Sequence, residues 1–483
     1  MRRLIVVVGA ALPAALAASV LLSPAVAHAR TPMPLADFNG DGYGDLAVSA
    51  PDAAIDGHNL AGAVVVAYGS STGIKSSRTA VVSQNTPRVP GVAEAFDRFG
   101  ASTAAGDFNK DGYTDLAVGS PGEDVPRGDD WGTVTVLWGS SKGLGAGGAL
   151  SQPLGIEQTG FGTAVTAGDF DGDGYADIAA STASGTHLWL YLNRSTGQSG
   201  EMGFAHADFE ASAMPATGTG VTALAAGDVD GDGRDDLAAV TNPLSGSGGV
   251  LYLSPGVPAK RRAASELPPA LSLAIGDVDG DGHGDVVSGQ PYGSEEVHGA
   301  RDGGSVTVFR GSAQGVDGRR AVVITQNTAG VPGVVEEGDR FGWSVELGDV
   351  NRDGRADLLT GAIDEGVGLT GFTGSVTVLP GSAKGLTGTG SYAFHQDTPG
   401  VPGVAESRDS FGEALALADT DRDGRLDLAV GAPGENGWYG ALTSLRGNGV
   451  RITFTRAVGF SAETIGLATG EDWYPEFGAP ISG

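Results

Sequence analysis

The stretch "DFNGDGYGDLAVSAP", residues 37 to 51, places Asp37, Asn39, Asp41 and Asp45 at positions 1, 3, 5 and 9 of one turn, with Gly42 at position 6. Alternate positions of a tight loop point their oxygens at one centre, and the glycine permits the sharp reversal. Calcium takes about six to eight oxygen ligands, at ~2.3–2.6 Å, from carboxylates, carbonyls and water. Position 7, here Tyr43, offers its backbone carbonyl, so its side chain is free to vary. Such a turn is a candidate calcium site placed directly ahead of an apolar strand.

The turn is written seven times, starting at 37, 107, 169, 228, 277, 349 and 419. The second copy supplies Asp107, Asn109, Asp111, Tyr113 and Asp115, and the third Asp169, Asp171, Asp173, Tyr175 and Asp177. The fourth has Asp228, Asp230, Asp232, Arg234 and Asp236, and the fifth Asp277, Asp279, Asp281, His283 and Asp285. The sixth has Asp349, Asn351, Asp353, Arg355 and Asp357, and the seventh Asp419, Asp421, Asp423, Arg425 and Asp427. An EF-hand would need a bidentate Glu at position 12. That position holds Val48, Val118, Ala180, Ala239, Ser288, Thr360 and Val430, so the Asp at 9 must close the site. Magnesium resists such dense replacement of its waters. The bland alternative is an Asp-rich turn whose side chains bond only their own backbone. Seven copies at one spacing favour up to seven Ca²⁺ ions in a structural role. A site filled on all ligands by protein leaves no open position for activating water.

The elements that would hold these turns also repeat, at intervals of 49 to 72 residues. A Phe-Gly pair precedes many copies ("RFGASTAAGD" at 98, "RFGWSVELGD" at 340), and an alternating segment follows ("GTVTVLWGS" at 132, "GSVTVLPGS" at 374). A further apolar run, "TAVVSQ" or "RAVVITQ", completes four short strands per unit with glycine-rich turns between them. Seven units of four strands predict an all-β, seven-bladed β-propeller over residues 30 to 483. The rungs of a β-helix are too short for these units. The first copy has no Phe-Gly strand ahead of it, whereas the chain ends in "EFGAPISG". Phe477 to Ser482 is therefore expected to complete blade one and close the ring.

Glycine is abundant at 82 of 483 residues, cysteine is absent, and the net charge is −29 with only 18% charged residues. The acids are thus concentrated, 25 of them as turn carboxylates. Nucleic acid, which needs clustered Lys and Arg, is disfavoured as a partner, and metal cations are favoured. Arg2 and Arg3, an apolar run from Leu4 to Leu22 and "AVAHA" ending at Ala29 read as a secretory signal peptide, residues 1 to 29, cleaved after Ala29. A membrane anchor is the competing reading of that run. No later segment approaches a membrane span, so a secreted, extracellular, monomeric protein is expected.

The Phe-Gly pairs, the acidic turns and "GSP" or "GAP" (Gly119 to Pro121, Gly431 to Pro433) resemble FG-GAP repeats, as found in integrin α-subunits and glycosylphosphatidylinositol-specific phospholipase D. The resemblance is strong in copies 1, 2, 6 and 7 and weaker in copies 3 to 5, where "STA", "VTN" and "SGQP" replace the last element. It implies a propeller of FG-GAP blades and calcium; it does not imply a reaction. A non-catalytic binding or adhesion module is the first expectation. Its ligand face would lie opposite the calcium turns, on loops carrying Trp131, Tyr292, Phe372, Trp438 and Tyr439, suited to a glycan or protein ligand. The competing reading is that these aromatics plug the central channel. The repeated inter-blade stretches 86–97, 328–339 and 398–409 read as structural.

A hydrolase of esterase or phospholipase D-like type is the alternative. "GSSTG" at 69 and "GSSKG" at 139 match a nucleophile motif, but they follow a strand in a hairpin, and equivalent blades read "GSAQG" and "GSAKG". Six histidines remain after the signal (His58, His187, His206, His283, His298, His395), without a repeated cluster. Arg127-Gly128-Asp129 spells an adhesion tripeptide that composition alone explains, and "MPATG" at 214 lies mid-chain, away from any sorting position.

Overall fold

Each acidic turn leads into a short strand, and in a computed structural model the strands group as the repeat predicts. The structure describes residues 36–483 except 127, 151–158, 184–186, 194–203, 211–219, 242–249, 254–260, 263–269, 298, 317 and 468–473. The expected signal peptide, Arg127 of the Arg-Gly-Asp tripeptide, His298 and the 214 stretch lie outside the described residues.

The first sheet holds β1 (Leu46–Ala50), β2 (Ala63–Ala67) and β3 (Thr79–Val82). The second holds β4 (Ser102–Gly106), β5 (Asp115–Ser120), β6 (Thr133–Leu137) and β7 (Gly147–Leu150). The third is β8 (Val165–Gly168), β9 (Asp177–Ser181), β10 (His187–Asn193) and β11 (Phe204–Glu210). The fourth is β12 (Val221–Gly227), β13 (Asp236–Thr241), β14 (Val250–Leu253) and β15 (Arg261–Arg262). The fifth is β16 (Ser272–Gly276), β17 (Asp285–Gln290), β18 (Ser305–Phe309) and β19 (Val322–Ile324). The sixth is β20 (Phe341–Gly348), β21 (Asp357–Ala362), β22 (Ser375–Leu379) and β23 (Tyr392–Phe394). The seventh is β24 (Leu415–Ala418), β25 (Asp427–Ala432), β26 (Ala441–Gly447) and β27 (Ile452–Ser461). The last strand, β28 (Ile481–Ser482), pairs antiparallel with β1, Ala47 opposite Ser482 and Val48 opposite Ile481. It is shorter than the expected 477–482 segment, and it gives the first sheet a fourth strand in the order β28-β1-β2-β3. The fold is an all-β β-propeller of four-stranded blades.

Burial explains why the strands do not all alternate. The second strand of every sheet is buried along its whole length, because neighbouring sheets cover both its faces. Outer strands such as β3 and β19 keep exposed positions. Seven apolar clusters lie between the sheets, six between consecutive pairs and one joining β1 and β2 to β24, β25 and β26.

The Phe-Gly and Gly-Ala-Pro elements meet across these seams. Phe99, Phe161, Phe341, Phe411 and Phe477 are fully buried. The glycine after Phe161 has φ +91°, and a Cβ on Gly119 of the preceding sheet would stand 2.0 Å from its carbonyl oxygen. The same approach joins Gly431 to Gly478, at 1.9 Å for such a Cβ. Only glycine fits where two backbones come this close.

Candidate metal centres

The turn backbone is held by its own carboxylates. In all seven copies the position-6 glycine has φ between +77° and +89°, and its N–H donates to the position-1 carboxylate at 2.8–3.0 Å. The position-5 carboxylate accepts from the N–H of position 7 at 2.9–3.1 Å. Position 4 is also left-handed, even where it is Lys110, Arg352 or Arg422. The carboxylates at positions 1 and 5 thus hold the backbone of their own turn.

Position 9 does more than close a loop. Asp45, Asp115, Asp177, Asp236, Asp285, Asp357 and Asp427 are all at most 2% exposed. In copies one to six one oxygen accepts from the position-2 N–H at 2.9–3.1 Å. The other accepts, in six copies, from an N–H at or two residues past the end of the third strand: Gly69, Gly139, Asn193, Gly311, Gly381 or Gly447. One carboxylate thus fastens the turn, the second strand and the third strand together. Burial pushes Asp45, Asp115 and Asp177 up to about 7, against these N–H bonds and with the help of the neighbouring turn carboxylates. Asp285 and Asp357 are pushed up to about 6 for the same reason.

Ligand-atom distances define which carboxylates share a centre. Asp169, Asp171 and Asp177 lie within 4.8 Å of one another, as do Asp228, Asp230 and Asp236, and Asp277, Asp279 and Asp285. In copy seven the group is Asp419, Asp421 and Asp423 instead. These clusters could hold a metal ion. Copies one, two and six carry the amides Asn39, Asn109 and Asn351 at position 3. Asn39 and Asn109 use Oδ1 to accept from the position-5 N–H, whereas Asn351 donates to Asp357 at 2.9 Å. The donor set is hard oxygen crowded into a half-buried space, which suits Ca²⁺.

The position-7 side chain, Tyr, Arg or His in the seven copies, leans over position 4 of the preceding turn. A Cβ on Gly40 would strike the Tyr113 ring at 2.5 Å, one on Gly172 would meet Arg234, one on Gly231 His283 and one on Gly280 Arg355. Lys110 lies 4.1 Å from the Tyr175 ring centroid. The preference for Tyr, Arg and His was visible in the repeats; the partner across the seam was not. Backbone bonds reinforce the link, such as Thr114 N–H to the Asp37 carbonyl at 3.1 Å and Gly44 N–H to the Asp419 carbonyl at 2.8 Å.

The serines of the nucleophile-like motifs are turn residues. Ser70 Oγ donates to the Gly73 carbonyl at 2.6 Å and Ser140 Oγ to that of Gly143 at 2.8 Å. Ser312 and Ser382 make the same bond.

A family model for the FG-GAP repeat matches residues 33–66, 99–137, 161–199, 270–309, 341–379 and 411–445. The chain carries six FG-GAP repeats. Seven copies were expected, and the unmatched one is the unit around the turn at 228, where the Phe-Gly and Gly-Ala-Pro elements are degraded. FG-GAP relatives include phosphatidylinositol-glycan-specific phospholipase D of Rattus norvegicus, 36% identical over 169 residues, 34% of this chain and 20% of that one. Integrin alpha-PS3 of Drosophila melanogaster is 33% identical over 163 residues, 32% of this chain and 13% of the relative. Integrin alpha-6 of Gallus gallus is 33% identical over 156 residues, 31% and 13% of the two chains. The FG-GAP chain is thus homologous to integrin α-subunits, and it spans a fifth or less of the length of these relatives. Among the described FG-GAP residues no helix is long and apolar enough to cross a membrane.

Proposed function

We propose that this chain is a calcium-stabilised binding module, with seven blades closed into one ring by β28, that presents an extracellular glycan or protein ligand with the face opposite its acidic turns. Ring closure is supported by the β28–β1 pairing and by the apolar cluster that joins the first and seventh sheets. Calcium is supported by the three- and four-carboxylate turns and by the resemblance to integrin α-subunits. Ca²⁺ would be held by positions 1, 3, 5 and 9 and would neutralise the buried position-9 carboxylate; the ion supplies charge and rigidity. Secretion and a monomeric state belong to the same reading.

The observation that carries the binding reading is where large apolar side chains are left in water. Strand direction puts the loops after each second strand, and the connections between blades, on the face away from the turns. Of the expected aromatics, Phe372 and Trp438 are exposed there while Trp131, Tyr292 and Tyr439 are half-buried. Leu369, Tyr474 and, in inter-blade stretches expected to be structural, Val92, Phe96, Val334 and Val404 are exposed too, while the turn face exposes Val450. Apolar surface of this kind, rimmed by polar loops, marks interaction sites. The test is a screen of calcium-loaded protein on a glycan array and a panel of extracellular matrix proteins. Binding that Phe372→Ala and Trp438→Ala abolish and Val450→Ala retains is the expected result. No binding, or binding insensitive to the first two variants, overturns it.

The second reading is a hydrolase, supported by the phospholipase D relatives over about a third of the chain. Turnover of an ester or a glycosylphosphatidylinositol substrate that follows the protein through purification would favour it. The turn-locked Ser70 and Ser140 argue against those two serines as nucleophiles.

A further inference from the structure

The seventh acidic turn combines two residues that touch each other, a hydroxyl at position 2 and an arginine before the third-strand donor. Position 2 is Phe38, Phe108, Phe170, Val229, Val278 or Val350 in six copies and Thr420 in the seventh. The residue before the third-strand donor is Tyr68, Trp138, Leu192 or Pro380 in copies one, two, three and six, Arg310 in the fifth and Arg446 in the seventh. Arg446 is 8% exposed. Its Nη1 donates to Thr420 Oγ1 at 2.8 Å and to Asp427 Oδ2 at 2.5 Å, and stands 3.3 Å from Asp421 Oδ2. Thr420 Oγ1 in turn donates to Asp427 Oδ2. The guanidinium is boxed in from the first sheet, where a Cβ on Gly73 would overlap it.

We propose that Arg446 is a built-in counter-ion that takes the place of calcium in the seventh turn, so that this turn does not need the metal. The proposal rests on the calcium reading above. A guanidinium paired with carboxylates supplies, through directed N–H donors, the positive charge that the other turns must take from solution. Its position between Asp421 and Asp427 also changes the donor set. In copies three, four and five the position-9 carboxylate shares a centre with positions 1 and 3, but in copy seven Asp427 is drawn to Arg446 and Thr420, and position 5 stands in the group instead. Arg310 shows that an arginine at this place is not sufficient. It pairs with Asp279 from a side chain 28% exposed, against 10% for Arg446. Val278 gives it no hydroxyl at position 2, and Asp285 stays with Asp277 and Asp279.

The test counts bound calcium. Wild type, Arg446→Leu and Arg446→Gln are compared by native mass spectrometry and isothermal titration, with melting measured in EGTA and in excess Ca²⁺. Gln keeps a donor for Thr420 without the charge, and guards against a Leu variant that fails to fold. Both variants are expected to bind one more Ca²⁺ than wild type. In EGTA they should melt below wild type, and excess Ca²⁺ should remove most of that difference. Equal, non-zero calcium counts in all three proteins overturn the counter-ion role alone. No calcium in any of them overturns the calcium reading and this proposal together.

Discussion

On the turn face, Asp177 is buried beside Asp169 and the half-buried Asp171; on the opposite face, the half-buried Glu365 accepts from the amide of Gln326. Both are carboxyl groups wholly or partly removed from water, and both repeat around the fold. The Gln326 amide donates to Glu365 at 2.5 Å, and Gln84 with Glu123 and Gln396 with Glu435 make the same pair at two other blade junctions. Each of these glutamines is backed by a left-handed glycine, Gly91, Gly333 or Gly403, whose missing Cβ leaves room for the amide. The turn face crowds three or four carboxylates around one point, so a divalent ion is the economical neutraliser. The opposite face sets each glutamate beside a neutral amide donor, with Asp97, Asp339 or Asp409 buried nearby, and burial there favours the protonated acid. The same chemical group thus calls for a metal on one face and for protonation on the other.

Removing the metal should break this comparison most visibly. Each site saturated a hundredfold over its dissociation constant contributes about 2.7 kcal/mol. Three such sites, those of copies three to five, in a cooperatively melting chain of this size correspond to about 8 °C in Tm. Calorimetry in EGTA against millimolar Ca²⁺ reads this directly, and a melt that chelation leaves unmoved would refute structural calcium.

Substitution within one turn sharpens the contrast between ligand and latch. Asp177→Ala strands two buried N–H donors, those of Phe170 and Asn193, and should cost about 3 kcal/mol even in EGTA. Asp173→Ala removes an exposed carboxylate that bonds only the Tyr175 N–H, and should cost under about 1 kcal/mol in EGTA. With calcium present, both lose the site and their difference narrows. Chemical denaturation under the two conditions separates the roles; equal costs in EGTA would show that position 9 acts only through the metal.

The turns, the strands and their order were legible because a repeated spacing reports local geometry directly. A C-terminal strand was legible because a leading strand is missing near Asp37, although only Ile481–Ser482 of the expected segment pairs with β1. The second role of Asp45 was not, because its donors include Gly69, a partner 24 residues away that no local pattern announces. The stacking of Tyr113 over Gly40 was hidden for the same reason: it joins neighbouring blades, and spacing within one unit carries no information about contacts between units. Thr420 and Arg446 could have been found by comparing the copies with one another, since each breaks a pattern that most other turns keep.

The smallest expected effect is the pH response of the glutamate face. Burial, assisted by nearby carboxylates and opposed by the glutamine amide, pushes Glu123 and Glu365 up to about 7 from an ordinary 4.5. Below pH 4.5 both the folded and unfolded chains hold these protons, and the stabilisation is fully present. Between 4.5 and about 7 the unfolded chain releases them while the folded chain keeps them, so stability falls with rising pH, and the loss is complete once pH passes the folded value. Allowing for partial solvent screening, the two groups together correspond to about 3 °C in Tm. The measurement belongs in saturating Ca²⁺, where the turn aspartates are held ionised and their own titration is suppressed. A doubly substituted Glu123→Gln, Glu365→Gln protein should melt with a flatter pH profile between 5 and 8 than wild type. An unchanged slope would mean that these carboxyls ionise freely in the folded protein, and the distinction between a metal-neutralised face and a proton-neutralised one would fall.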